Sequence, residues 1–169
     1  MIQIMEFKTL GKQDTQIIRQ LAESSWYDTY LPILEEKQLI YMLEVIYSDE
    51  ALSRQMDEGQ RFFGLFVDDT LAGFASISQL DNVSFKLNKI YLLSAFQGGG
   101  RGKALLKFAE NAAIESGAQS MILNVNRFNK ARFFYESQGY EITAEEDVPI
   151  GPYWMNDYVL QKSLSGKMG

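Results

Sequence analysis

The stretch Phe85-Lys86-Leu87-Asn88-Lys89-Ile90-Tyr91-Leu92-Leu93, followed by Gln97-Gly98-Gly99-Gly100-Arg101-Gly102, decides how the rest of the chain is read. Its first half alternates: Phe85 and Leu87 are apolar, Lys86 and Asn88 polar. Then the phase slips. Lys89 stands where an apolar residue is due, and Ile90 to Leu93 is apolar throughout. A slipped phase within one strand marks a β-bulge, and equally a strand whose end is buried on both faces. Beyond the glycines, residues 101–116 carry Leu105, Phe108, Ala109 and Ala112 as one helical stripe. A glycine-rich loop between a strand and a helix cradles phosphate. Glycines let the backbone come close, and the free N–H groups at the helix start bind the anion.

Upstream, Ile2 to Phe7 alternates as a first strand. Residues 13–30 place Ile17, Ile18, Leu21, Ala22, Ser25 and Trp26 at helical spacing, with Asp14 positioned as a cap or helix-dipole partner and Pro32 closing the helix. Helical stretches at 34–46 and 49–58 follow, the second stopping at Gly59. Arg61 to Val67 and Leu71 to Gln79 flank the turn Asp68-Asp69-Thr70 and read as a hairpin. Downstream come a strand from Ser120 to Val125, a short helix from Asn129 to Gln138 ended by Gly139, a strand starting at Tyr140 to Thr143, and a last strand from Tyr153 to Leu160. The order β-α-α-α-β-β-β-α-β-α-β-β contains a strand–helix–strand crossover. It predicts the α/β (α+β) class with one mixed sheet.

The bulk numbers bound the chemistry. A chain of 169 residues is one domain, 1–169, burying about 70% of its unfolded surface. It has no cysteine and no histidine. That excludes disulfides, thiolate nucleophiles, histidine triads and the thiolate or imidazole metal sites, so no metal is expected. An acid or base must be Asp, Glu, Tyr, Lys, a terminus or water. The formal charge is -6, from 16 basic and 22 acidic residues, and the basic residues do not cluster. No nucleic-acid partner is therefore expected. The acidity suits a cationic substrate, and equally plain solubility. No run approaches the ~20 apolar residues of a membrane span, and the N-terminus lacks a basic region followed by an apolar run. No membrane partner and a cytoplasmic location are expected. The polar tail 163–169 is expected to be disordered.

Three phosphate loops compete for the glycine run. A Walker loop needs glycine where Gln97 stands and Ser or Thr where Ala104 stands. A dinucleotide fingerprint from Gly98 and Gly100 puts Lys103 at its third glycine. The pattern Q/R-x-x-G-x-G/A fits Gln97, Gly100 and Gly102. That is the pyrophosphate loop of the GCN5-related N-acetyltransferases, the GNAT superfamily. Asn129, Ala131, Phe134, Tyr135, Gly139 and Tyr140 resemble the superfamily's N-x-A-x-x-F-Y-x-x-x-G-[FY] block, so the likeness covers 84–143. Ser25-Trp26-Tyr27-Asp28-Thr29-Tyr30 is more loosely similar to the first helix of the bacterial polyamine-acetylating branch.

The resemblance implies a GNAT fold: a single mixed, mostly antiparallel sheet with a splayed, bulged central strand and four to five helices. It implies acetyl-CoA as cofactor and acetyl transfer to a primary amine, a small polyamine or a peptide amine, by direct attack in a ternary complex. The backbone of Ile90, Tyr91 and Leu92 would pair with the pantetheine arm, and one N–H there would polarise the thioester carbonyl. The N–H groups of Gln97, Gly98, Gly99, Gly100, Arg101, Gly102 and Lys103 would hold the pyrophosphate. Arg101 and Lys103 add charge, or form a solvated helix start. Asn129, with Ala131 and Phe134 beside it, would contact the cofactor arm, and Asn129 suits a helix N-cap as well. Tyr135 would protonate the leaving thiolate, the alternative being a core aromatic. Many relatives carry a glutamate base on the bulged strand. This chain has Lys86, Asn88 and Lys89 there, which leaves Asp28, Glu35, Asp147 and Asp157 as candidates. Trp26, Tyr27, Asp28, Tyr30, Asp147, Tyr153 and Trp154 would line the acceptor site. A non-catalytic acyl-CoA-binding module is the competing reading, and a homodimer is expected because relatives often form one.

Overall fold

The structure is a computed structural model that describes residues 3–164. Seven strands form one sheet in the order β1-β2-β3-β4-β5-β7-β6. They are β1 (Met5–Leu10), β2 (Arg61–Val67), β3 (Thr70–Gln79), β4 (Ser84–Leu92), β5 (Ser120–Asn126), β6 (Glu141–Ile150) and β7 (Tyr153–Ser163). Every neighbouring pair is antiparallel except β4 with β5, which are parallel. The β4-to-β5 connection is therefore the crossover, and α4 (Arg101–Glu115) makes it. The other helices are α1 (Thr15–Tyr30), α2 (Glu36–Tyr47), α3 (Asp49–Asp57) and α5 (Ala131–Ser137). The class, the single mixed sheet and the helices expected from the sequence are all present.

Each face of the sheet has its own core. α4 and α5 cover one with Leu105, Leu106, Ala109 and Tyr135 packed on Phe85, Leu87, Met121 and Leu123. α1, α2 and α3 cover the other with Ile18, Trp26, Leu39, Tyr47 and Leu52 packed on Phe62 and Phe74. Burial on both faces explains why β2 and β3 read as nearly unbroken apolar runs. The β2–β3 hairpin turns on Asp68 and Asp69, both at positive φ (48° and 67°), as a two-residue hairpin loop requires.

The phase slip is a bulge. Ser76 pairs with Lys89 and Ile77 with Leu87, so Asn88 is the extra residue of β4. The bulge puts Phe85 and Leu87 with Ile90 and Leu92 on the α4 face, and turns Lys89 and Tyr91 toward the α1–α3 face. Lys89, out of phase in the sequence, is thus in phase with Tyr91 in the fold.

Four local readings change. The first strand runs Met5–Leu10 because its register against β2 ends with Leu10, its buried residue, opposite Phe62; Ile2 lies outside the described residues. Asp14 stands at the N-cap position of α1 but makes no side-chain cap bond to it; its carboxylate accepts from the Gly11 N–H at 2.8 Å. The last strand reaches Ser163, paired with Ser120, and Leu164 beyond it is buried. Only 165–169 of the expected disordered tail lie outside the described residues.

Candidate active site

The parallel ladder of β4 and β5 is short. It runs from Ser84 opposite Ser120 to Leu87 opposite Leu123 and then ends. Beyond the bulge, β4 keeps β3 as its partner and β5 keeps β7, so the two strands splay. Ile90, Tyr91 and Leu92 therefore pair along one edge only. Their other edge faces a cavity bounded by Asn124 and Val125 of β5, Asn129, Ala131 and Tyr135. The Leu92 carbonyl is turned to that open edge, where it accepts from the Gln97 side chain at 3.3 Å. Gly73 of β3 lets the strands pack this closely: a Cβ there would sit 2.6 Å from the Tyr91 carbonyl oxygen.

The glycine loop continues this cavity along the start of α4. Gly98, Gly99 and Gly100 all have positive φ (93°, 64° and 79°), a run that residues with a Cβ rarely adopt. A further cavity is lined by Ile90, Leu92, Gln97, Gly98, Gly100, Arg101, Gly102, Lys103, Ala131 and Phe134. Gly102 lies flat against it, with space for a Cβ only up to the Phe134 ring, 3.8 Å away. The Arg101 guanidinium donates to the Phe96 carbonyl at 3.2 Å and to Gln3, both neutral partners, and keeps its positive charge at the cavity wall. Lys103 is exposed beside the cavity. The backbone cradle fits a pyrophosphate.

Asn129 lies one residue before Lys130, the N-cap of α5, and binds the helix's first N–H. Its Oδ1 accepts from the Ala131 N–H at 2.9 Å at the start of α5, while its Nδ2 donates to the Tyr30 hydroxyl at 3.5 Å, at the cavity wall. Tyr135 lines both cofactor-side cavities. Its ring stacks edge-on with Phe134 and Tyr140, centroids 5.5 and 6.1 Å away. Burial, with a smaller push from Tyr30, raises its phenol well above the usual tyrosine range. It therefore holds its proton at neutral pH.

A second cavity opens on the α1–α3 face, bounded by Trp26, Tyr30, Met42, Tyr47, the β6 residues Glu146 and Val148, and Asp157 of β7. Its volume, about 340 Å³, suits a small molecule. It shares Tyr30, Leu87, Asn88, Lys89, Tyr91 and Asn124 with the cavity at the open edge. The two cavities therefore meet at the bulge. Lys89 itself points away from the junction into the core. Its ammonium donates to Gln55 at 2.7 Å and Gln60 at 3.0 Å, beneath the Tyr47 and Phe62 rings. Burial, with repulsion from Lys86, lowers its pKa to about 7.

Of the acceptor-site residues expected from sequence, Trp26 and Tyr30 line this second cavity. The others do not. Tyr27 packs into the α1–α3 core. Exposed Asp28 borders a different pocket, between α1 and Gln97. Asp147 is exposed and engaged by Arg127 at 2.8 Å. Tyr153 packs on Tyr41, centroids 5.5 Å apart, and Trp154 is exposed on the opposite side of its strand from the buried Asp157. Strand alternation explains Trp154, since Asp157 and Met155 face the cavity while Trp154 faces out; Tyr153 is in phase with Met155 but stands at the start of β7, against Tyr41. Sequence reading missed Asn88, Asn124, Lys86 and Glu146. Asn88 carried a signal, as the residue at the phase slip.

A model of the GNAT acetyltransferase domain matches residues 32–151. The chain belongs to the GNAT acetyltransferase family. Among curated proteins it is 29% identical over 144 residues to spermidine N(1)-acetyltransferase of Thermoplasma acidophilum, covering 82% of this chain and 89% of that one. It is 26% identical over 164 residues to an uncharacterized N-acetyltransferase of Lactobacillus delbrueckii subsp. lactis, covering 92% and 95%. Among solved structures it matches the PaiA N-acetyltransferase of Thermoplasma acidophilum in complex with coenzyme A, with TM-score 0.80, 28% identity, and 95% and 99% of the two chains covered. A GCN5-related N-acetyltransferase of Rhodopseudomonas palustris shares the fold at TM-score 0.81 and 17% identity, over 97% and 99% of the chains.

Proposed function

We propose that this protein transfers the acetyl group of acetyl-CoA to a primary amine of a small polyamine, by direct attack while both substrates are bound. The observation that carries this is the meeting of two cavities at the β4 bulge. One has an unpaired strand edge and a glycine cradle. The other has the size of a small-molecule site. The spermidine-acetylating relative supports a polyamine over a peptide amine, as does an acceptor cavity partly roofed by β6.

Each part of the chain has a task in this reading. The N–H groups of the loop from Gln97 to Lys103 bind the pyrophosphate. The open edge of Ile90–Leu92 pairs with the pantetheine arm as a further strand would, and a backbone N–H there stabilises the oxyanion. Tyr135 donates its proton to the departing thiolate, a general-acid role worth about 10²–10⁴ in rate. With no cysteine in the chain, an acyl-cysteine intermediate is excluded.

The test is thiol release from acetyl-CoA with a panel of amines: spermidine, spermine, putrescine and a short peptide with a free N-terminus. Release with the polyamines well above the hydrolysis background is expected. Coenzyme A binding with no release for any amine would replace this reading by that of an acyl-CoA-binding module.

A further inference from the structure

Four carboxylates were open as the group that takes the acceptor's proton. Asp28 borders another pocket, Asp147 is engaged by Arg127, and Glu35 is exposed at the start of α2. Asp157 differs from all three. It is 7% exposed and lines the acceptor cavity from β7. One oxygen, Oδ2, accepts from the Asn124 side chain at 3.3 Å; the other, Oδ1, is buried without a hydrogen-bond partner among the described residues. Arg127 is close but donates to the Asp157 backbone carbonyl, and its other contacts go to Asp147 and Glu145. A buried carboxylate oxygen without a protein donor, in the wall of a cavity, is costly unless a water or a ligand in the cavity supplies the donor.

We infer that Asp157 is the residue that binds the acceptor's ammonium group and takes its proton. This rests on the acetyl-transfer reading above. The placement is opposite to that of Tyr135. Tyr135 lines only the cofactor-side cavities and Asp157 only the acceptor cavity, with Tyr30 and Tyr91 lining both. An amine entering from the acceptor side meets the carboxylate first and the thioester at the bulge next.

The bond changes balance. One N–H bond of the ammonium breaks, and its proton passes to Asp157. The freed lone pair forms the C–N bond to the thioester carbonyl carbon, and the C–S bond breaks. The sulfur takes the Tyr135 proton, the second N–H proton of the new amide restores the phenol, and Asp157 returns its proton to water.

The charged and titratable groups around Asp157 are Glu146, its partner across β6, Lys86 on β4, Arg127 after β5, and the Tyr30 and Tyr91 phenols. Burial, opposed by the Asn124 hydrogen bond and by Lys86 and Arg127 and assisted by Glu146, raises the carboxyl above its usual range. A raised carboxyl is a better base for an ammonium.

The experiment is kcat against pH, from 6 to 9.5, for the full chain and for Asp157→Asn, with acetyl-CoA and whichever panel amine turns over fastest. The parent protein is expected to reach a plateau once Asp157 is ionised. D157N is expected to be slower by about 100-fold at pH 7. Its rate should rise about tenfold per pH unit without a plateau, because only the small neutral fraction of the amine then reacts. Its coenzyme A affinity is expected to be unchanged. A D157N rate within threefold of the parent, with the same profile, overturns the proposal but leaves acetyl transfer standing. No turnover by the parent protein overturns both. If the Asn protein does not fold, Asp157→Glu decides: a retained plateau supports the carboxylate's role, and a rate that rises throughout overturns it.

Discussion

Among the described residues two carboxylates are buried, in very different company. Glu110, on α4, is 2% exposed and fully engaged. Lys162 of β7 contacts both its oxygens at 3.0 and 3.1 Å, and the Tyr140 hydroxyl donates to it at 2.9 Å. Asp157, five residues earlier on the same strand as Lys162, has one hydrogen bond, from a neutral amide, and one oxygen with none. Glu110 ties α4 to the sheet where β5 and β7 pair without interruption. Asp157 stands where β4 has splayed away from β5. Burial is common to both; what sets Asp157 apart is incomplete pairing next to a cavity, the feature on which its proposed role rests.

The comparison breaks most visibly at its paired end. Lys162→Met leaves the Glu110 charge buried without its cation and is expected to cost about 3–5 kcal/mol. Guanidinium unfolding would show it, and replacing Glu110 by Leu in the same chain should recover most of the loss. At the open end the expected effect is on rate. Tyr135→Phe should lower kcat about 100-fold, near 2.7 kcal/mol of barrier, with coenzyme A affinity and melting temperature unchanged. An unchanged kcat would return Tyr135 to the core aromatics. Gly100→Leu comes next. Its φ of 79° costs an ordinary residue about 1–2 kcal/mol, and no atom lies within 4 Å of the added Cβ. Calorimetry should show coenzyme A binding weakened by about tenfold or more.

Lys89 sharpens the comparison as a third buried charge, held by two amides and two rings rather than a counterion. Its pKa is lowered to about 7 in the fold, so between there and its ordinary value of 10.5 the unfolded chain holds more protons. Stability should therefore rise with pH above about 7, by at most about 1.4 kcal/mol per unit. Unfolding at pH 7 and 9 should show this slope in the parent protein and its loss in Lys89→Met. The smallest effect is on Asp157→Asn. A carboxyl raised in the fold stabilises the protein at low pH, and that contribution is lost as pH rises through its raised value. At pH 7 the Asn protein should melt at or above the parent's temperature.

How much of this was legible in sequence follows from the range of the interactions. The phase slip at Lys89 is a local pattern, and it located the bulge to within a residue. The loop at Gln97–Gly102 and the block Asn129–Tyr140 carry their signal in spacing, and they fold against one cavity wall. The lining of the second cavity was less legible because it is assembled across the sheet. Whether Asp147 or Asp157 faces the cavity depends on which strand face is buried and on Arg127, 20 residues from Asp147, reaching the exposed one. The polar residues Asn124 and Glu146 join Asp157 only through strand register. Tyr27, Asp28 and Tyr153 are neighbours in the chain of true cavity residues; helical spacing turns Tyr27 and Asp28 elsewhere, and Tyr153, in phase with Met155 and Asp157, is taken up by Tyr41 at the start of the strand.

In the proposed function two substrates meet at the bulge and react there without a covalent enzyme intermediate. Initial rates measured while acetyl-CoA and spermidine are both varied distinguish this from a two-step transfer. Double-reciprocal lines that intersect, with no acetylated protein after incubation with acetyl-CoA alone, are the predicted result. Parallel lines with an acetylated protein intermediate would contradict it.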